Sequence, residues 1–192
     1  TPLGGVDTGG VWPCHLGLLD EAIAVANYFD GTIGVVALAD GIPTGLVQVL
    51  PGEGSGPHPE QTGPHAHAAF RLDATTLLST DLGADRIHIH RIEGSRLVRT
   101  GSLELPPGTG PRDIARHPSG LLHVLGEHGC TLTVLEWTGS GLEVVTSLSV
   151  PGSVVGDQAS AIGYAHGGRT VFAGVRGSNL LSVMRSSDDG RS

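Results

Sequence analysis

Five titratable or charged residues in this sequence have the chemistry to bind a small anion and to move a proton. Arg112 and Arg176 can each form paired hydrogen bonds with a carboxylate or phosphate, and they can stabilise an oxyanion. His67, with His65 two residues before it, can accept or release a proton near neutral pH. Glu127 can orient an arginine or share the proton transfer. The set predicts acid–base chemistry on an anionic ligand, if the fold brings these residues together.

The spacing of His65 and His67 also permits a metal site. On one strand, alternate side chains point to the same face, so two imidazoles could bind zinc or iron with Asp81 as a third ligand. His88 and His90 form a second pair, but the isoleucines that alternate with them favour an ordinary strand with one apolar and one polar face. No third ligand has a convincing spacing, and we therefore predict neither a metal nor another cofactor.

The segment DLGAD, which begins at Asp81, has two interpretations. Its aspartates favour capping of a hairpin turn by hydrogen bonds to nearby backbone N–H groups. Asp81 could instead line a channel, and we include it with His65 among the candidate substrate-binding residues. His58, His117 and His166 lie in predicted turns, where we expect solvent-exposed side chains.

The composition excludes several classes of protein. The chain has a net charge of −8, and all eleven of its basic residues are arginines, which excludes a lysine Schiff base and gives no basic stripe for nucleic acid. It has no run of 18 apolar residues, so we predict no membrane span. The two cysteines, Cys14 and Cys130, lack metal or redox spacing and predict buried thiols in a reducing compartment, which favours the cytoplasm.

One strand pattern, a short turn and a second strand pattern recur four times, about every 48 residues. The Gly- and Pro-rich segments between them are typical of turns in a many-stranded β protein. The period predicts an all-β propeller with four-stranded antiparallel blades and no helix longer than about two turns. We expect the blades, within a single partial domain of residues 1–192, at roughly 11–50, 64–105, 111–150 and 159–192.

A propeller would explain how distant residues meet, because the same strand position of every blade faces one central channel. In this repeat, His65 and Arg112 start first strands, whereas Glu127 and Arg176 end second strands. We therefore expect His67, Arg112, Glu127 and Arg176 at one rim, where local positive charge from the two arginines outweighs the net charge of the chain. The chain lacks an initial methionine and stops inside the fourth repeat, which predicts a piece of a longer propeller.

Several of these segments together resemble the lactonase family of seven-bladed β-propellers, which includes a bacterial type of 6-phosphogluconolactonase and the fungal 3-carboxy-cis,cis-muconate lactonising enzyme. The segments that carry the resemblance are PCHL (13–16), AVANYFDGTIGV (24–35), GSGPHPEQTGPHAH (54–67), TDLGADRI (80–87), GTGPRDIARHPSG (108–120), GEHGCTLTV (126–134) and SAIGYAHGGRTVFAGVRGSNLLSV (160–183). The chain has Gly126 and Val175 where many members of that family have asparagines, and it has no acidic residue near Ala161, where some members have one.

The resemblance implies a metal-independent enzyme that hydrolyses an anionic sugar lactone such as 6-phosphogluconolactone. It implies His67, Arg112, Glu127 and Arg176 as the catalytic residues. Muconate-type lactonisation, a cycloisomerase reaction, is the close alternative. The alternative from another class is a non-catalytic propeller that binds a protein or a small ligand, with the charged residues paired along a solvated channel.

Overall fold

Short strands joined by tight turns form four antiparallel sheets, one after another along the chain. A computed structural model describes residues 3–192. Blade one contains β1 (Pro13–Leu18), β2 (Ala22–Asn27), β3 (Thr32–Ala39) and β4 (Ile42–Leu50). Blade two contains β5 (Ala66–Arg71), β6 (Thr76–Asp81), β7 (Arg86–Glu93) and β8 (Arg96–Glu104). Blade three contains β9 (Pro111–Arg116), β10 (Leu122–Gly126), β11 (Thr131–Trp137) and β12 (Leu142–Ser149), and blade four contains β13 (Gln158–Ala165), β14 (Thr170–Arg176) and β15 (Leu180–Arg185). The predicted all-β propeller is confirmed, with a fourth blade of three strands.

The turn between the second and third strands of each blade repeats one backbone feature. Tyr28, Leu82, Glu127 and Arg176 occupy the same repeat position, just at or after the end of each second strand. The third residue after each of them has φ between 44° and 67°: Gly31, Asp85, Cys130 and Asn179. This left-handed conformation lets the chain reverse within four residues, and side chains other than glycine adopt it rarely. The turn therefore keeps the ends of the second strands at one rim of the propeller.

Apolar side chains of successive blades pack face to face. One cluster joins blades one and two, a second joins blades two and three, and a third joins blades three and four. Leu77 of β6, Leu122 of β10 and Leu135 of β11 are fully buried. Burying a leucine side chain stabilises a fold by about 1.5–3 kcal/mol, so these packed faces hold each blade against the next. The contacts support our proposal that the chain is one domain.

Besides the strands, residues 3–192 contain one short helical element, the 3₁₀ turn His166–Gly168. No helix of this described part is long and apolar enough to cross a membrane.

Two predictions about exposure were wrong. His117 is 1% exposed rather than solvated, because its ring stacks on His123 at 5.2 Å and its Nδ1 lies 2.8 Å from Ser119 Oγ. Cys14 is exposed, whereas Cys130 is buried as expected.

Candidate active site

The first strand of each of the four blades carries a β-bulge close to its start, and in blades one to three the additional residue lies at the same place. The pairing of β5 with β6 shifts between Ala66 and Ala68, so His67 is the additional residue. Equivalent shifts leave Cys14 as the additional residue of β1 and Arg112 as that of β9. A bulge interrupts strand alternation and redirects one side chain. In these three blades, the redirected side chain lies at the wall of a shared cavity.

The strand pairing changes the expected positions of the two histidines. His65 was predicted to be equivalent to Arg112 and to share a face with His67, but the residue equivalent to Arg112 is His67. His65 lies just before β5. Its ring stacks on Tyr28 at 4.7 Å, and its Nδ1 lies 2.9 Å from the carbonyl oxygen of Tyr28. His65 therefore supports the wall of the cavity from behind and does not line it.

Second strands contribute the other part of the rim. Tyr28 follows β2, Glu127 follows β10 and Arg176 ends β14, as the repeat predicted. Together with the bulged residues they enclose a cavity of about 440 Å³. Its lining residues are Trp12, Pro13, Cys14, Tyr28, Glu60, His67, Arg112, Glu127, Gln158 and Arg176. The four candidate catalytic residues thus line one cavity.

Glu127 links the two arginines. Its Oε1 lies 2.7 Å from Arg176 Nη2, and its Oε2 accepts a hydrogen bond from Arg112 Nη1. The Glu127 side chain is only 5% exposed, and burial alone would raise the pKa of its carboxyl group. The hydrogen bonds and positive charge of Arg112, and then of Arg176, more than offset burial and lower that pKa. Glu127 is therefore ionised and holds both guanidinium groups in place.

Arg112 has a second anchor. Its Nε donates a hydrogen bond to the carbonyl oxygen of Ser160, at 2.8 Å, across the boundary between blades three and four. The side chain of Arg176 is 47% exposed, so part of its guanidinium group faces the open cavity. An anion in the cavity would find donors already fixed in position, which reduces the cost of organising them.

His67 stays neutral at physiological pH. Burial, reinforced by the nearby positive charge of Arg112, lowers the pKa of His67 to about 4. A neutral imidazole has a nitrogen lone pair that can accept a proton. Tyr28 meets His67 edge-on at a ring distance of 5.8 Å. Burial, and then the negative charge of Glu127, raise the pKa of Tyr28, so its hydroxyl group remains a neutral donor.

The formal charge of the cavity differs from the prediction of local positive charge. Glu60 also lines the cavity, and its Oε2 accepts a hydrogen bond from Gln158 Nε2 at 2.9 Å. Two arginines therefore face two carboxylates, Glu60 and Glu127, and their formal charges cancel. An anion must be recognised here by directed hydrogen bonds from the guanidinium groups rather than by an excess of positive charge.

Asp81, a predicted substrate-binding residue, does not line the cavity. It is 1% exposed, and its Oδ1 accepts hydrogen bonds from the N–H groups of His65, Gly83 and Ala84 at 2.8, 3.1 and 3.1 Å. The bonds of Asp81 to the N–H groups of Gly83 and Ala84 confirm the predicted capping of the hairpin turn. Asp85 does not cap this turn: its Oδ1 accepts hydrogen bonds from Gln61 Nε2 and from the Gly110 N–H, which join the turn to the long segment before β5 and to blade three.

The cysteine at the rim is a poor nucleophile. Although Cys14 is exposed as a residue, its Sγ lies 3.4 Å from the carbonyl oxygen of His67 and 3.6 Å from those of Ala26 and Ala66. Burial of the sulfur raises the pKa of Cys14 to about 11. The thiol is therefore protonated at neutral pH, and only a thiolate would attack a carbonyl group.

Six lining residues were not predicted as site residues: Trp12, Pro13, Cys14, Tyr28, Glu60 and Gln158. Tyr28 had a usable signal, because it occupies the repeat position of Glu127 and Arg176. Glu60 lies in the long segment between β4 and β5, which has no counterpart in the repeat.

The predicted histidine pairs do not form metal sites in the part of the chain that the structure describes. His88 and His90 are both buried between blades, and His90 Nε2 lies 2.9 Å from Ser79 Oγ. Within residues 3–192, the group of three metal-ligand residues that the fold assembles is His58, Glu60 and His128.

A second cavity, of about 430 Å³, lies between blades three and four. Apolar side chains such as Leu132, Val134 and Val171 form most of its wall, and His123 and Arg185 are its titratable side chains. Because it lacks paired anion-binding donors next to a proton acceptor, we assign the functional site to the cavity with His67.

Residues 1–192 match a family described as "Lactonase, 7-bladed beta-propeller". The 6-phosphogluconolactonase of Bacillus subtilis strain 168 is 31% identical over 183 residues, which cover 91% of this chain and 52% of that relative. The chain spans about half the length of the curated relatives it matches.

Two crystal structures show the same fold. A Bacteroides fragilis protein has a TM-score of 0.91 at 26% identity, with 99% of this chain and 57% of that one covered. The periplasmic gluconolactonase of Pseudomonas aeruginosa has a TM-score of 0.87 at 24% identity, with 97% of this chain and 56% of that one covered.

Proposed function

The chain belongs to the lactonase family of seven-bladed β-propellers, and from this premise we propose that its protein hydrolyses a lactone in the cavity lined by His67, Arg112, Glu127 and Arg176. The observation that carries the proposal is the position of Glu127, which holds two arginines beside a neutral histidine. Hydrolysis of a lactone needs a proton acceptor for water and donors for an oxyanion, and this group supplies both.

In the proposed reaction, His67 accepts a proton from a water molecule while the water oxygen forms a bond to the lactone carbonyl carbon. The carbonyl oxygen becomes an oxyanion, which Arg112 and Arg176 stabilise. The bond between that carbon and the ring oxygen then breaks, and the leaving oxygen takes the proton from the His67 imidazolium. The product is a hydroxy acid, whose carboxyl group releases a proton to solvent.

In the protein without substrate, the low pKa of His67 makes its imidazole a weak base. Substrate binding and the reaction change the charges around this imidazole. An anionic substrate and the developing oxyanion both stabilise an adjacent imidazolium. We therefore expect the pKa of His67 to rise when substrate binds. Glu127 acts as a positioning residue, since both of its carboxylate oxygens already contact arginines.

We assign an anionic sugar lactone, such as 6-phosphogluconolactone, as the substrate class. Support comes from the partly exposed Arg176 guanidinium group, which can form paired hydrogen bonds with a phosphate. The name of the Bacillus subtilis relative points to the same compound. A cavity of about 440 Å³ also falls in the range of small-molecule sites, about 300–1,000 Å³.

We propose that the chemical step needs no metal, because His67 and the two arginines supply the base and the oxyanion stabilisation. We also propose a cytoplasmic location. Its support is that Cys14 and Cys130 are separate thiols. The Pseudomonas structure is of a periplasmic protein, so fractionation of cells that make the full-length protein is the appropriate test of location.

The experiment is steady-state turnover of a lactone panel by the full-length protein, with spontaneous hydrolysis subtracted. The panel contains 6-phosphogluconolactone, the uncharged gluconolactone and 3-carboxy-cis,cis-muconate. We expect kcat/KM to be highest for the phosphorylated lactone. Preferential turnover of the muconate would establish the lactonising alternative, and no turnover of any compound would favour a binding propeller.

A further inference from the structure

The long segment between β4 and β5 reaches across the rim and contacts blade three. The ring of His58, in this segment, stacks on the ring of His128, which follows β10, with centroids 3.8 Å apart and planes 15° apart. Glu60 Oε2 lies 4.0 Å from His128 Nδ1. One ligand atom from each of the three side chains lies within 4.8 Å of those of the other two.

His128 is the member of this group whose polar atoms are buried and unsatisfied. Its side chain is 1% exposed, yet neither Nδ1 nor Nε2 has a hydrogen-bond partner among residues 3–192. Leaving a polar group buried without a partner costs about 1–3 kcal/mol, and the great majority of such groups in folded proteins are satisfied. The His128 nitrogens point along the edge of the stacked pair, where the Glu60 carboxylate lies 4.0 Å from Nδ1, so a cation at this edge would satisfy them.

We propose that His58, Glu60 and His128 bind a divalent transition-metal ion of the Zn²⁺ class. Two imidazole nitrogens and one carboxylate oxygen suit such an ion, and a fourth position is left for water. The hard ions Mg²⁺ and Ca²⁺ prefer sets made of oxygen ligands, so they fit this group less well.

The three side chains must move closer to bind an ion together. Ligand atoms around tetrahedral zinc, each about 2.0–2.1 Å from the ion, are roughly 3.3 Å apart. His58 and Glu60 lie in a bend and a turn outside any strand, and the Glu60 side chain is 55% exposed, so both can rotate toward His128. The Glu60 N–H now donates a 3.3 Å hydrogen bond to His58 Nδ1, and metal binding through that nitrogen would replace it.

Glu60 belongs to both this site and the cavity. A bound divalent cation would add positive charge to a cavity wall whose formal charges otherwise cancel. This consequence rests on the function proposed above: bound metal should lower KM for an anionic lactone while kcat stays similar. The metal is thus expected to assist recognition without entering the chemical step.

Titration of the metal-free full-length protein with ZnCl₂ by isothermal calorimetry tests the site without any lactone. The variants are His128→Ala and Glu60→Gln, and the control is His166→Ala, which removes an exposed turn histidine outside the site. Loss of even an outer-shell partner weakens metal binding by about 10–100-fold, so removing a ligand should weaken it by at least about tenfold. The control should bind as the wild type does.

Circular dichroism and thermal melting check that each variant is folded. Glu60→Gln changes a side chain that is largely exposed, so it keeps the test valid if His128→Ala fails to fold. Crystals of the full-length protein soaked in ZnCl₂ should show anomalous density at the edge of the His58 and His128 rings, next to the Glu60 carboxylate. Wild-type affinity in folded Glu60→Gln, zinc density elsewhere only, or no tight binding to the wild type would each overturn the proposal.

Discussion

Glu127 Oε1 lies 2.7 Å from Arg176 Nη2, which joins the end of the second strand in blade three to its equivalent in blade four. The two residues are 49 positions apart but occupy the same place in the repeat. The repeat therefore builds the site, since one backbone position supplies the carboxylate in one blade and the guanidinium group in the next. The other oxygen of this carboxylate holds Arg112 from a bulged first strand.

Replacing Arg112 with lysine should impair catalysis although it keeps the charge. Arg112 donates from Nε to Ser160 and from Nη1 to Glu127, and a lysine cannot reproduce this fork. Removing one oxyanion donor typically costs about 10²–10³-fold in kcat. Steady-state kinetics of Arg112→Lys in the full-length protein should show a loss of that order.

Arg71→Lys is the matched control, because Arg71 forms an exposed ion pair with Asp20 far from the cavity lining. It should retain wild-type kinetics. A fully active Arg112→Lys would mean that charge alone suffices at this position and that the fork has no catalytic role.

The pH dependence of kcat/KM should reflect the low pKa of free His67. Its pKa of about 4 means that the imidazole is neutral, and competent as a base, at every pH well above 4. Activity should be constant from about pH 7 to pH 5 and should fall as the pH decreases through about 4. Initial rates measured in overlapping buffers, with protein folding verified at each pH, give the profile. If kcat/KM instead fell with a midpoint near pH 6.5, and His67→Ala abolished that fall, the low pKa of His67 would be contradicted.

The same shift affects folding stability. The folded state disfavours the protonated imidazole, so the unfolded state binds more protons between pH 6.5 and about 4. The contribution of His67 to stability is therefore complete above pH 6.5 and decreases as the pH falls toward 4.

Asp81→Ala should reduce stability rather than substrate binding. Asp81 is buried, and its removal leaves the N–H groups of His65, Gly83 and Ala84 without their acceptor. Each buried group left unpaired costs about 1–3 kcal/mol, so we expect the free energy of unfolding to fall by at least about 2 kcal/mol. Urea unfolding of the full-length protein measures this change.

The control for this variant is Asp188→Ala, at an exposed position near the end of the chain, which should leave the urea midpoint unchanged. If Asp81→Ala kept its stability but raised KM strongly, the original expectation of a substrate-binding residue would be restored.

The strands of blade three illustrate how much of the fold the sequence could predict. Within the predicted blade at 111–150, alternation and turn residues predict strands at 112–116, 121–127, 131–137 and 142–150. The observed bounds differ from these by no more than one residue at any end. Short turns and alternating apolar residues are local signals, so a single sequence contains them. The repeat register also placed Glu127 and Arg176 correctly at equivalent positions.

The histidines show where such prediction ends. Strict alternation placed His65 and His67 on one face, and an alignment of strand starts made His65 equivalent to Arg112. The backbone pairing instead matches Ala66 with Pro111 and His67 with Arg112, and the β-bulge that redirects both side chains is an extra residue without a sequence signature. His117 is buried because β10 and the segment near Gly190 cover it. Contacts between segments far apart in the chain decide such burial, and local patterns do not contain them.

The central claim is that the cavity lined by His67 and the two arginines hydrolyses a lactone. Its most direct test is kcat of His67→Ala in the full-length protein with 6-phosphogluconolactone, beside His166→Ala as a control and with folding checked by circular dichroism. Loss of a general base should lower kcat by about 10²–10⁴-fold, while the control stays at the wild-type value. Wild-type turnover by a properly folded His67→Ala variant would contradict the mechanism and remove His67 from it.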